Sequence, residues 1–254
     1  MSLTSLGGKC IEIDALNLQT YELNTLIKKA VKDGAEKVVL KNVYGQRYIG
    51  TRLCLERPIK IEIHGTPGND LGAFNTGHQI IVYGNAQDGV GNTMDGGEII
   101  IHGRAGDVLA LSMRGGEIFV RDGVGYRAGV HMKEYLEKKP VVVIGGTAQD
   151  FLGEYMAGGV LILLGLDERP ANDMDFVGVG MHGGVMYIRA KLERRRISNH
   201  VEVLEPSDQD YRLLELYVEK FSRYFGIPKD EILGKGAFMK LIPASKRPYS
   251  TLYK

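Results

Sequence analysis

Cut every nineteen residues from Pro58, the chain falls into lines that align with one another. The lines open at positions 58, 77, 96, 115, 139, 158 and 183. "EYLEK" is inserted before the fifth line, and the sixth carries six extra residues. Positions four and six are apolar in every line: Ile61/Ile63, Ile80/Val82, Ile99/Ile101, Ile118/Val120, Val142/Ile144, Leu161/Leu163 and Met186/Ile188. Alternation rich in β-branched residues predicts one short strand per line. Met94, Met113, Met132, Met156 and Met181 share the next-to-last column. A flexible thioether stacked on its own copies suits the inside of a solenoid, where burial stabilises by roughly 1.5–3 kcal/mol per side chain.

Glycine recurs in the first and eighth columns, and a third column is small throughout: Gly72, Gly91, Ala110, Gly129, Gly153 and Gly178. Glycine recurs where a backbone turns with positive φ or approaches another closely. A period of 19 to 25 residues with one strand and glycine corners implies stacked coils. The leucine-and-asparagine consensus of leucine-rich repeats is missing, and a propeller blade needs about forty residues. The expectation is a mainly β, single-stranded, right-handed parallel β-helix. Each coil then advances about 4.8 Å, and every column becomes a ladder.

Open ends of such a solenoid need caps. Leu23, Leu26, Ile27, Ala30 and Val31 have helical spacing, and Gly34 ends that helix. A weaker first coil follows, with Gly50 and Leu53 in the small and apolar roles. Near the other end Ser207 is an N-cap. Tyr211, Leu214, Val218, Phe221 and Phe225 form one stripe, and Gly226 stops the helix. The sequence divides into an N-terminal strand and capping helix (1–37), the β-helix (38–204), and a C-terminal capping helix with an extended tail (205–254). That tail lacks periodicity; it wraps the body or docks on a partner.

Two lures resemble chemistry. Gly178, Gly180 and Gly183 spell GxGxxG, but a dinucleotide cradle follows a strand and opens a helix. Here the string leads into the strand "VMYIR". Gly178 and Gly183 belong to repeat columns, which leaves Gly180 without a reason. Asp88, Asp107 and Asp150 share column twelve, about one strand spacing apart for the first two. That approaches the carboxylate spacing of a retaining glycosidase; the plainer reading is turn capping. The histidines are scattered over different columns, with no nucleophile–base pairing. Cys10 and Cys54 form no CxxC, so neither a zinc nor an iron–sulfur site is expected.

Lys+Arg 32 against Asp+Glu 31 gives a net charge of +1, so nothing points to a polyanion, and Arg194–Arg196 reads as a solvated face. No long apolar run and no signal-peptide pattern is present, and two cysteines in 254 residues fit a reducing, cytoplasmic setting. The spacing alone yields a scaffold with no catalytic, cofactor-binding or metal residues.

"GTPGNDLGAFNTG", "GVGNTMDGGEIIIHGRAGDVLALSMRGG", "GEYMAGG" and the lead-in "YGQRYIGTRLCLE" resemble the C-terminal GXGXG domain of the glutamate synthase large subunit. The similarity runs from about Val38 to Arg189. It implies a β-helix without catalytic residues that holds other domains in place. The enzyme makes two glutamates from glutamine and 2-oxoglutarate. The rest of such an enzyme is absent here: there is no N-terminal nucleophilic cysteine, no cysteine cluster and no room for an FMN barrel. The resemblance therefore implies a non-catalytic subunit of a split glutamate synthase. Its partners are an amidotransferase chain and a synthase chain carrying FMN and an iron–sulfur cluster; self-association is left open. The glycine-rich β-helix subunit of a formylmethanofuran dehydrogenase-type complex is similar and is the alternative. A stand-alone β-helix enzyme acting on polysaccharide through Asp88 or Asp107 is a third.

Overall fold

A computed structural model describes residues 3–5, 9–53, 57–167, 174–189 and 192–245. Cys54, part of the six-residue expansion and the last nine residues of the tail lie outside them. Within this set the strands form one sheet. An antiparallel strand β1 (Leu3–Ser5) borders β2 (Cys10–Asp14). Helix α1 (Thr20–Lys32) then crosses to β3 (Lys37–Tyr44), which pairs in parallel with β2. The coils proper supply β4 (Lys60–Thr66), β5 (Thr76–Tyr83), β6 (Asp95–Ile101), β7 (Gly115–Val120), β8 (Val141–Ile144), β9 (Ala157–Leu163) and β10 (Gly183–Ile188). Each pairs in parallel with the next, as a β-solenoid requires.

The register follows the repeat. Ile61, Ile80, Ile99, Ile118, Val142, Leu161 and Met186 face one another from strand to strand. All fourteen residues of columns four and six are fully buried, and so is the methionine ladder to within 2%. The second glycine of three Gly-Gly pairs, Gly116, Gly159 and Gly184, makes room for that ladder. A Cβ on Gly116 would lie 2.6 Å from Met94 Cε, and one on Gly184 2.6 Å from Met156 Cε. Gly97, Gly116, Gly159 and Gly184 also have φ of 81–89°, beside the irregularities in strand pairing.

The two ends differ. At the first, α1 seats Leu23, Ile27, Ala30 and Val31 in the axial core, as a cap should. At the second, the expected helix forms as α2 (Asp208–Phe225), with Ser207 as N-cap and Gly226 left-handed at its stop. It does not cap the axis. Its Leu214, Val218 and Phe221 pack on Phe119, Val143, Ile162 and Tyr187, the outward rows of β7 to β10. Tyr187 reaches Asp210 at its start, and His102 meets Phe225 at its end. The helix therefore runs along the solenoid. At 1.5 Å per residue against about 4.8 Å per coil, one helical turn spans about one coil. Tyr211, placed on the buried stripe by sequence, is 38% exposed, and Asp210 is buried instead.

The axial end is closed by strands. β12 (Met239–Pro243) pairs antiparallel with β10, and β11 (Val201–Leu204) pairs antiparallel with β12. The first part of the tail thus wraps the body. A short helix α3 (Lys229–Gly234) joins α2 to it and buries Ile232 against the same lateral cluster.

Candidate functional site: a laddered corner

Each coil turns one corner by placing alternate residues in the left-handed region. The triplets are Tyr48/Gly50/Arg52, Asp70/Gly72/Phe74, Gly89/Gly91/Thr93, Val108/Ala110/Ser112, Arg127/Gly129/His131, Phe151/Gly153/Tyr155 and Phe176/Gly178/Gly180. Every one has φ between 50° and 76°. The middle residue faces the core. A Cβ there would meet the column-four side chain two coils on: Gly50 meets Ile80 at 2.7 Å, Gly72 meets Ile99 at 2.6 Å, and Gly91 meets Ile118 at 2.4 Å. Ala110 is the exception. Two coils beyond it column four is Val142, which has no δ-carbon to collide.

The flanking residues form two ladders on the surface. Left-handed conformation costs an L-residue about 1–2 kcal/mol, yet large side chains occupy it here. Arg52 lies 4.4 Å over the Phe74 ring, and Arg127 lies 4.5 Å over Phe151. Phe151 stacks on Phe176 at 4.8 Å, and His131 on Tyr155 at 5.2 Å. Stacking returns about 0.5–1.5 kcal/mol per pair, which offsets part of the strain. Two clusters result. One, around Tyr48 and Phe74, borders a cavity of about 320 Å³. The other, at Phe176, borders a cleft of about 390 Å³ whose far wall is Arg194–Asn199. Between them lie the small residues Gly89, Thr93, Val108 and Ser112.

This corner settles Gly180. A Cβ on it would sit 2.3 Å from Tyr155 Cδ1. A Cβ on Gly183 would sit 2.2 Å from Ala157 O. The GxGxxG string is therefore a corner at Gly178 and Gly180 that runs into β10, which Gly183 opens.

The shared aspartates are spent on the backbone. Asp88 Oδ1 accepts from the Asp107 N–H at 2.9 Å, and Asp107 Oδ1 accepts from the Tyr126 N–H at 2.9 Å. Asp150 Oδ1 accepts from the Asp175 N–H at 2.8 Å. Each carboxylate caps the next coil. Replacing Asp107 by Ala is expected to lower stability by about 1–2 kcal/mol, read by urea unfolding.

The histidines do not converge. His78 is buried, accepting from the Ile59 N–H and facing Leu53 O. His64 and His102 sandwich Tyr83 at 4.8 and 5.1 Å, and burial holds both imidazoles below their ordinary value. His182 faces Gly180 O. One pairing is not read from spacing: Ser198 Oγ lies 2.9 Å from His200 Nδ1. That nitrogen also receives the Gly180 N–H at 3.1 Å, and no carboxylate among the described residues orients the ring, so the pair fastens a turn. Arg194 binds the carbonyls of Ile197 and Ser198, Arg195 pairs with Glu193, and Arg196 with Asp175. The basic run is thus engaged by its own surroundings, two of its three charges by carboxylates. Among the described residues no group of His, Cys, Asp and Glu could hold a metal ion, and no helix is long and apolar enough to cross a membrane.

The arrangement defines a class: a parallel β-solenoid with glycine corners, whose polar groups serve its own coils and whose exposed aromatic ladders face outward. The GXGXG motif family matches residues 27–244, and the chain belongs to that family. It is the family of the glutamate synthase domain that the sequence resembles. An uncharacterized protein of Methanocaldococcus jannaschii is 46% identical over 256 residues, which cover 97% of either chain. Among solved structures, one chain of the formyltransferase/hydrolase complex of Methylorubrum extorquens, determined with methylofuran, superposes with a TM-score of 0.60. That match covers 92% of this chain and 96% of the other at 18% identity, a likeness of fold.

Proposed function

We propose that this chain is a non-catalytic assembly subunit of a split glutamate synthase. Amidotransferase and FMN-dependent synthase chains dock on it in the cytoplasm and perform the chemistry, and the FMN and iron–sulfur cluster reside on the synthase chain. One observation carries the reading: the candidate aspartates hold coils together and the basic run is engaged with its own surroundings, while strained aromatic residues are kept on an exposed corner. Strain retained on a surface is a signature of binding, and aromatic residues with arginine are enriched in interfaces.

The purified chain is expected neither to bind FMN nor to hydrolyse glutamine; either activity overturns the proposal. Phe74→Asp and Phe176→Asp are expected to reduce partner recovery from cells at least tenfold while shifting the melting temperature by less than about 3 °C. Undiminished recovery would remove the corner as the docking face. The whole-chain likeness to a member of a formyltransferase/hydrolase complex favours a second reading, in which the same scaffold serves an enzyme of that kind.

A further inference from the structure

Arg189 follows β10 in the outward row that holds Leu164 one coil earlier. It is only 6% exposed. Nη1–H donates to Ile232 O on α3, and the guanidinium lies 4.8 Å over the Phe238 ring. Nε and Nη2 are buried and bond to nothing among the described residues. Among the described residues no carboxylate answers the charge. Asp210, on α2, is occupied by Tyr187, Ser207 and Lys240. Asp167, whose Oδ1 is the other buried unpartnered atom among the described residues, spends Oδ2 on Thr147 and does not bond to Arg189.

A sealed, unpaired guanidinium is the least favourable state of this side chain, and an apolar residue of its size would avoid it. Burial lowers its pKa to about 10, so it remains cationic at neutral pH. The unused donors are also specific. With Nη1 engaged, Nε–H and Nη2–H form the side-on fork of the guanidinium, whose parallel N–H groups match the two oxygens of a carboxylate. The neighbours Ile232 and Phe238 are apolar, and the exposed Lys235 between them pairs with Glu231, so a single negative charge balances the guanidinium and a phosphate dianion exceeds it.

We propose that the Nε/Nη2 edge of Arg189 is a binding site for one carboxylate, clamped between β10 and α3. The carboxylate is that of a small acid or of an Asp or Glu side chain on a partner. Entry requires α3 to lift. That six-residue helix buries only Ile232, so it belongs to the low-stability elements of the chain. The site is independent of the corner and of which complex the chain serves.

The test uses the full chain, ¹⁵N-labelled at arginine, titrated at pH 7 with sodium acetate against sodium chloride of equal ionic strength. One Nε–H resonance, missing from Arg189→Met, is expected to move downfield and saturate at millimolar acetate. The melting temperature of the wild-type chain should rise by about 2–4 °C, and that of Arg189→Met should not. Should Arg189→Met not fold, Arg189→Lys keeps the charge, loses the fork and serves the same purpose. Saturation by acetate identifies a small acid. A resonance already displaced in complex purified from cells, and unmoved by acetate, identifies a partner side chain. No displacement in either preparation, or an equal melting rise in the variant, overturns the site.

Discussion

Gly91→Ala is expected to destabilise the chain by about 2–4 kcal/mol, lowering the melting temperature by roughly 5–15 °C. Two costs combine. Gly91 has φ of 68°, which an alanine adopts under strain, and the new Cβ would lie 2.4 Å from Ile118 Cδ1. Only the second cost can be relieved elsewhere. The chain already contains the relieved form at Ala110, opposite a valine two coils on. Ile118→Val alone should cost about 0.5–1.5 kcal/mol. Combined with Gly91→Ala it should recover about 1–2 kcal/mol, a favourable coupling measurable by a double-mutant cycle in denaturant. Additive losses would show that the space filled by the δ-carbon is not what requires glycine in this column.

Asp210→Ala is expected to cost about 3–5 kcal/mol at pH 7. Asp210 Oδ1 accepts from the buried Tyr187 hydroxyl at 2.6 Å; Oδ2 accepts from Lys240 at 2.8 Å and from the Ser207 N–H at 2.7 Å. One carboxylate thus ties the start of α2 to β10 and β12. Burial alone would raise its pKa, but the hydrogen bonds from Lys240, Tyr187 and Ser207 win and hold it well below the usual carboxylate range. A depressed folded value means that the stabilisation is fully present above the unfolded pKa, about 4, and is lost as pH falls through the folded value. The wild-type chain should therefore lose more stability than Asp210→Ala as pH falls from about 5 to 2. Parallel losses in urea unfolding across that window would refute the assignment.

The parts of the fold legible in sequence are those that parallel stacking forces to repeat. Columns four and six, the methionines and the small column recur because each residue lies on its own copy. The left-handed flanks are illegible: Tyr48, Phe74, Arg127 and Phe151 sit where glycine or asparagine would announce the conformation. The lateral seat of α2 does leave a trace. β4 alternates in "KIEI", whereas β8 reads "VVVI" and β9 "VLIL", apolar on both faces, and those are the coils that α2 covers. The end cap formed by β11 and β12 has no repeat behind it, because antiparallel strands added from a distant segment share no column with the coils. Arg189 is invisible for another reason: a single arginine after a strand reads as a solvated charge until α3 is seen to cover it.

Recovery of the tagged full chain from its native cells, with identification of every chain that accompanies it, tests the assembly role most directly. The expected result is a stoichiometric complex containing an FMN-bearing synthase chain and an amidotransferase chain. Recovery of the chain by itself, with enzymatic activity of its own, would contradict it.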